Sequence, residues 1–290
     1  MKESIVAAAA AVESHPGETI ANLAKIRWQA RQAAASGADL VLFPELSVTG
    51  FLPNHPPGDH AAWLAEALRG AWRHAERLDG AAVAELARIS HEEGIFVAAG
   101  ILENAGGVLH NTHVLVGEGR VWGRWRKMHV PLFEMPFYNG GEAPAVVETP
   151  LGRIGVNICF DAMLPESTRL LAVQGCEIGL FPFAADPAPG TAEAWAAWAR
   201  PVLQARCAEN GIFGVACNYR GVAEFAGVKQ AFPGGSMMVG PGGEVLSEGA
   251  DEILLSELTA ERLQDARSAF EYTFRFRRPE LYGLLAQPTP

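Results

Sequence analysis

Cysteine is scarce in this chain: four among 290 residues, at positions 159, 176, 207 and 217, with no Cys-x-x-Cys pair. That is too sparse for a disulfide-stapled scaffold and reads as intracellular thiols. No stretch approaches the roughly 20 apolar residues that a membrane span needs. The longest N-terminal apolar run, residues 5–12, follows a single Lys2 and has no polar cleavage region behind it. It therefore reads as a first buried strand, not a signal peptide. No Asn-x-Ser/Thr acceptor occurs. No block of like charge stands out, and 23 basic against 33 acidic residues leave a net charge of −10, which argues against nucleic acid or an anionic membrane as partner. A cytoplasmic location is expected.

What the chain has in quantity is apolar residues, 49 % of the total, enough for a large core. Apolar runs and helical stripes alternate. Strands are predicted over 5–12, 38–43, 95–101, 178–183, 212–218 and 236–239, and helices over 81–93, 165–174 and 191–210, besides one opening at Thr19 with Ile20, Leu23, Ala24, Ile26 and Ala30 on its buried side. Two hairpins are expected: 109–116 with 120–126 around Gly117-Glu118-Gly119, and 146–148 with 153–159 around Pro150-Leu151-Gly152. This mixture predicts an α/β fold of mixed sheets covered by helices. No linker marks a boundary, so a single domain over 1–290 is expected, with long loops at 184–190 and 221–235.

Three reactive residues each end an apolar strand: Glu45 after Leu40-Val41-Leu42-Phe43-Pro44, Lys127 after residues 121–126, and Cys159 after Ile154-Gly155-Val156-Asn157-Ile158. In α/β sheets strand ends are where ligands bind, so one cleft can receive all three. Their chemistry is complementary. A thiol is a strong nucleophile only as thiolate, a buried carboxylate can take its proton, and an ammonium can stabilise an oxyanion. Each alone has a plainer reading: a small core residue, a helix cap, a surface lysine.

The residues around them are more specific. Leu42-Phe43-Pro44-Glu45-Leu46-Ser47-Val48-Thr49-Gly50-Phe51 resembles the first signature of the nitrilase superfamily of carbon–nitrogen hydrolases. Arg126-Lys127-Met128-His129-Val130-Pro131 resembles the second, and Gly155-Val156-Asn157-Ile158-Cys159-Phe160-Asp161 with Pro165-Glu166 and Arg169 the third. Asn111, Arg206, Glu209-Asn210, Asn218, Gly235-Ser236, Pro241, Gly243 and Arg278-Pro279-Glu280 extend the match from about residue 4 to 282.

The resemblance implies a four-layer α-β-β-α sandwich and a Glu–Lys–Cys triad: Glu45 as general base, Lys127 as electrostatic partner, Cys159 as nucleophile. It implies a second glutamate after the lysine, for which Glu134 is the candidate and Glu142 the rival, and an oxyanion hole completed by the backbone N–H of Phe160. It further implies a homodimer or higher homo-oligomer, with about 263–290 as a C-terminal arm in which Phe270, Tyr272, Phe274 and Phe276 alternate like a strand. The implied reaction is hydrolysis of a linear amide through a thioester, without cofactor or metal. The alternatives are nitrile hydrolysis, N-carbamoyl amide hydrolysis, or a non-catalytic interaction protein. Nitrile-hydrolysing branches carry Trp-Glu where this chain has Phe160-Asp161.

Phe51, Phe183 and Trp195 are the expected substrate contacts, for a neutral or weakly polar aliphatic amide. His129 is expected to order the loop after Lys127. His110 and His113, three apart on a strand, face opposite sides, which argues against shared metal ligation. The glycines at 240–243 form a hairpin turn, since no helix follows as a dinucleotide site requires.

Overall fold

Strand β1 (Ser4–Ala10) sends Ile5, Ala7 and Ala9 into one apolar layer and Ala8 and Ala10 into another. That period of two is the plan of the whole molecule. The structure is a computed structural model and describes residues 1–54 and 60–287.

After β1 come α1 (Thr19–Ala35), β2 (Leu40–Leu42), α2 (His60–His74), α3 (Ala81–Glu93) and the strands β3 (Phe96–Asn104), β4 (Leu109–Gly117) and β5 (Arg120–Arg126). The second half runs β6 (Val147–Thr149), β7 (Gly152–Val156), α4 (Pro165–Val173), β8 (Ile178–Pro182), α5 (Ala192–Asn210) and β9 (Phe213–Cys217). It continues through β10 (Arg220–Phe225), β11 (Val228–Pro233), β12 (Ser236–Val239), β13 (Val245–Gly249), β14 (Ile253–Thr259) and α6 (Ala260–Ser268).

The strands form two six-stranded sheets, ordered β14-β1-β2-β3-β4-β5 and β13-β12-β9-β8-β7-β6, plus the hairpin β10–β11. In each sheet three neighbouring strands are parallel, β1-β2-β3 and β7-β8-β9, joined by helical crossovers, and antiparallel strands flank them. Helices α1 to α3 cover the first sheet through Leu23, Ile26, Trp63, Ala67, Leu86 and Ile89. Helices α4 and α5 cover the second. The inner faces meet in a seam where Ala7, Ala9, Leu40 and Leu42 oppose residues such as Val156 and Leu180. This is the expected four-layer α-β-β-α sandwich.

Several expectations need correction. Residues 221–235 are largely the β10–β11 hairpin; burial alternates along β11 but not along β10, and a Gly- and Ala-rich composition concealed both strands. Helix α2 went unread although Trp63, Ala67 and Ala71 recur every fourth residue on its buried face. Strand β14 was also missed; it pairs antiparallel along the whole of β1. The C-terminal aromatics do not alternate in a strand: Phe274 and Phe276 lie in the 3-10 turn Thr273–Phe276, Phe270 and Tyr272 precede it, and Tyr272 stacks on Phe274 at a centroid distance of 5.8 Å. Residues 288–290 of the expected arm lie outside the described residues.

Candidate active site

Glu45 sits three residues past the carboxyl end of β2, in a loop fastened to β3. Val48 N–H donates to Gly100 O at 2.8 Å, while Ser47 Oγ accepts from Gly100 N at 3.1 Å and Thr49 Oγ1 from Leu102 N at 2.9 Å. The approach is so close that a Cβ on Gly100 would lie 2.1 Å from Leu46 N, so only glycine fits there. Leu46 takes the left-handed φ of 54°, and this turn drives the Glu45 carboxylate inward, where it is wholly buried.

Lys127 leaves the end of β5 and meets that carboxylate. Its ammonium lies 3.0 Å from Glu45 Oε2 and 2.7 Å from Glu134 Oε2. Asn111, on β4, donates to the same Glu45 oxygen at 2.8 Å, and the Tyr138 hydroxyl donates to Glu134 Oε2 at 2.6 Å. Glu45 Oε1 is buried and has no hydrogen-bond partner among the described residues. Glu142 lies elsewhere, paired at the surface with Arg124 and Arg126. Of the two candidate glutamates, Glu134 is the one that reaches Lys127. Tyr138 was not anticipated; its spacing, four residues after Glu134, is the one signal that places the two together.

Cys159 comes from the other sheet. Strand β7 stops at Val156, and Cys159 opens a 3-10 turn, Cys159–Met163, with a φ of 49° unusual for a residue with a side chain. Arg206 of α5 fixes the far end of that turn, donating to Ala162 O at 3.0 Å and Met163 O at 3.1 Å. Asn218, just past β9, latches the loop after β8 by accepting from Ala185 N at 2.9 Å and donating to Ala185 O at 2.7 Å.

The charges act on one another through a buried site. Burial pushes the Glu45 carboxyl up to about 7, helped by the Glu134 charge and opposed by Lys127 and Asn111. Burial alone would lower Lys127, but Glu134, Glu45 and Cys159 outweigh it and hold the ammonium charged well above its usual value. Burial and the Glu45 charge push the Cys159 thiol well up, against Lys127 and the Ala184 backbone amide, which favour thiolate. The resting site thus holds a neutral thiol, a carboxyl poised around neutrality and a charged ammonium.

A cleft of about 280 Å³ opens onto Cys159, Phe160 and Glu134, walled by Pro131, Phe133, Met163, Trp198 and the 184–187 loop, with Asn54, Asp186 and Gln230 at its polar side. The expected contacts Phe51, Phe183 and Trp195 stand back from it. Phe51 packs edge-on against Phe232 and borders a small enclosed space behind Glu134 and Tyr138. Phe183 is fully buried between Trp195 and Trp198, at ring distances of 6.0 and 5.8 Å. Trp195 is also fully buried; three residues further along α5, Trp198 emerges at the cleft, because that step turns the helix by about 60° net.

Among the described residues no three His, Cys, Asp or Glu side chains are grouped to hold a metal ion, and no helix is long and apolar enough to cross a membrane. His113 is buried in the sheet, and burial drives it down to about 3, so it is neutral.

The chain matches the family described as Carbon-nitrogen hydrolase over residues 6–268. It is 30 % identical to a nitrilase of Pyrococcus abyssi, over 90 % of this chain and 92 % of that protein. It is 31 % identical to an (R)-stereoselective amidase of a Pseudomonas species, over 92 % and 89 %. Among solved structures, a cysteine mutant of the Nesterenkonia AN1 amidase of the nitrilase superfamily superposes with a TM-score of 0.77 at 25 % identity, covering 98 % of both chains. Another mutant of that amidase, with the acetamide moiety of fluoroacetamide added covalently at its active-site cysteine, gives 0.76 at 25 % identity, covering 97 % of each.

Proposed function

The chain belongs to the carbon–nitrogen hydrolase family and is an amidase-type enzyme, and on that premise we propose that it hydrolyses linear amides through a thioester on Cys159. The observation that carries this reading is the Lys127 ammonium clasped between the buried Glu45 and Glu134, with Glu134 and Cys159 on the wall of one cleft. The covalent adduct on the Nesterenkonia amidase's cysteine supports it.

Glu45 takes the Cys159 proton as sulfur attacks the amide carbon. The oxyanion of the tetrahedral intermediate rests against Lys127 and the Phe160 N–H, a charge developed where water is excluded. Collapse breaks the C–N bond, and Glu45 returns the proton to the departing nitrogen, releasing ammonia or an amine. A water then gives a proton to Glu45 and attacks the thioester. The second intermediate expels the Cys159 sulfur, which recovers the proton, and the carboxylic acid leaves. Glu134 orients Lys127 and the substrate amide.

The substrate class we assign is a neutral or weakly polar aliphatic amide, because no lysine or arginine stands among the cleft residues named above. We place the single domain in the cytoplasm, in keeping with four unpaired thiols. We also propose a homodimer with the C-terminal segment in its interface, supported by the exposed Leu170, Val173, Phe276, Leu281, Leu284 and Leu285. Sedimentation of the purified chain tests the dimer.

The deciding experiment is mass spectrometry after brief mixing with a short aliphatic amide. An acyl mass on the Cys159 peptide, absent in Cys159→Ala, is the expected result; turnover without any adduct, or by the alanine variant, overturns the reading.

A further inference from the structure

One buried carboxylate outside the Glu45–Lys127–Glu134 cluster touches the flanks of both sheets' contributions. Asp161 Oδ1 accepts from His129 N at 2.9 Å and lies 2.8 Å from His129 Nδ1. Its Oδ2 accepts from Met128 N and from Ile158 N, both at 3.2 Å. Met128 and His129 directly follow Lys127, and Ile158 directly precedes Cys159. Lys127 rides on the first sheet and Cys159 on the second, so this carboxylate is a tether across the seam. An Asp early in a tight turn ordinarily accepts an amide of its own turn, as it does from Ile158. The two amides from beyond Lys127 are not local and have no such explanation. Asp161 is almost wholly buried, so water is not at hand to replace it, and bonds to a charged acceptor are among the stronger ones.

We propose that Asp161 is a positioning residue that sets the spacing between the Lys127 ammonium and the Cys159 thiol, with the His129 imidazole holding the Asp161 carboxylate in place. The proposal rests on the roles given to Cys159 and Lys127 above. It assigns Asp161 no contact with substrate. In an Asp161→Asn variant the amide presents one oxygen and one NH2 group, so at least one of the three backbone donors now meets a donor, whichever way the amide turns. A shift of about 1 Å between reacting groups costs on the order of a hundredfold in rate.

The test compares wild type, Asp161→Asn, Asp161→Glu and His129→Ala. The readouts are kcat and KM for a short aliphatic amide and the rate of Cys159 alkylation by iodoacetamide. Asp161→Asn should lose about a hundredfold in kcat with KM within threefold, and its alkylation should slow at least tenfold. His129→Ala keeps all three backbone bonds and should lose only about three- to fivefold in kcat. Asp161→Glu keeps the charge but lengthens the tether by one methylene. It serves if the asparagine variant does not fold, and should lose about tenfold in kcat. A folded Asp161 variant with kcat and alkylation within threefold of wild type, or with its whole loss in KM, overturns the tether. A wild-type enzyme that is not alkylated at Cys159 brings down the nucleophile assignment and the tether together.

Discussion

Lys127 Nζ stands 3.0 Å from Glu45 Oε2, and neither side chain has any exposure to solvent. Breaking a buried pair from one side leaves an uncompensated charge and typically costs about 3–5 kcal/mol. The two sides are not equivalent here, because Lys127 has a second carboxylate partner in Glu134, while Glu45 has no second cation among the described residues. Lys127→Gln leaves two buried carboxyl groups facing each other, whereas Glu45→Gln leaves the Lys127–Glu134 pair intact. Both should lose at least a thousandfold in kcat. Calorimetry should show a markedly larger drop in Tm for Lys127→Gln. Equal drops would contradict the asymmetry.

The Glu45 carboxyl, raised to about 7 by burial, should govern the acid side of the pH profile. kcat/KM should rise with pH through a limb near 7, since the base works only when ionised. The same shift has a stability consequence of fixed sign. The folded state holds the proton where the unfolded chain has released it, so this group's contribution falls as pH rises from about 4.5 to about 7. An acid limb near 4.5 in kcat/KM would reject Glu45 as base.

Reactivity should separate the four thiols. Burial pushes all four thiols upward, but Cys159 opens onto the cleft, while Cys176, Cys207 and Cys217 are fully buried away from it. Iodoacetamide on the folded protein should mark the Cys159 peptide alone, with loss of activity in step. Cys207→Ala should keep its turnover.

Substrate charge is the next test. Arg200 is paired with Glu248, Arg169 lies against the C-terminal segment, and Glu134 and Asp186 are the acidic groups on the cleft wall. Among the described residues that line the cleft a substrate carboxylate would meet no lysine or arginine, a cost of several kcal/mol. kcat/KM for a simple aliphatic amide should exceed that for an N-carbamoyl amino acid at least tenfold. The reverse order would show that a cation reaches the cleft.

The two tryptophans of α5 should separate binding from stability. Trp198→Ala should raise KM severalfold with little change in Tm. Trp195→Ala should cost about 3–5 kcal/mol of stability, read from denaturant midpoints. Indistinguishable effects would reject the division.

The strand-ending positions of Glu45, Lys127 and Cys159 were legible because an apolar run followed by one reactive residue is a local pattern. So was most of the layered fold, since both periods, two and 3.6, are written along the chain. The wall of the cleft was not legible. Whether Trp195 or Trp198 faces the substrate depends on where α5 lands on its sheet, and Phe51 and Phe183 turn away for the same kind of reason. Asp161 stood in plain view within the third motif, yet its partners Met128 and His129 are distant in sequence, and hydrogen bonding across two sheets leaves no periodic trace. Trp63 lies on α2 and Tyr138 in the turns after Pro131, two separate segments with weak signals, and the β10–β11 hairpin hid behind its small residues.

The seam between the sheets has one more consequence. Glu45 and Lys127 are carried by one slab and Cys159 by the other, so on the proposed mechanism the molecule is its own strain gauge. Any sideways slip of one slab on the other is read directly as lost turnover, at displacements far too small to melt either. The small residues Ala7 and Ala9, which let the slabs sit close, would therefore bear on turnover without touching the substrate.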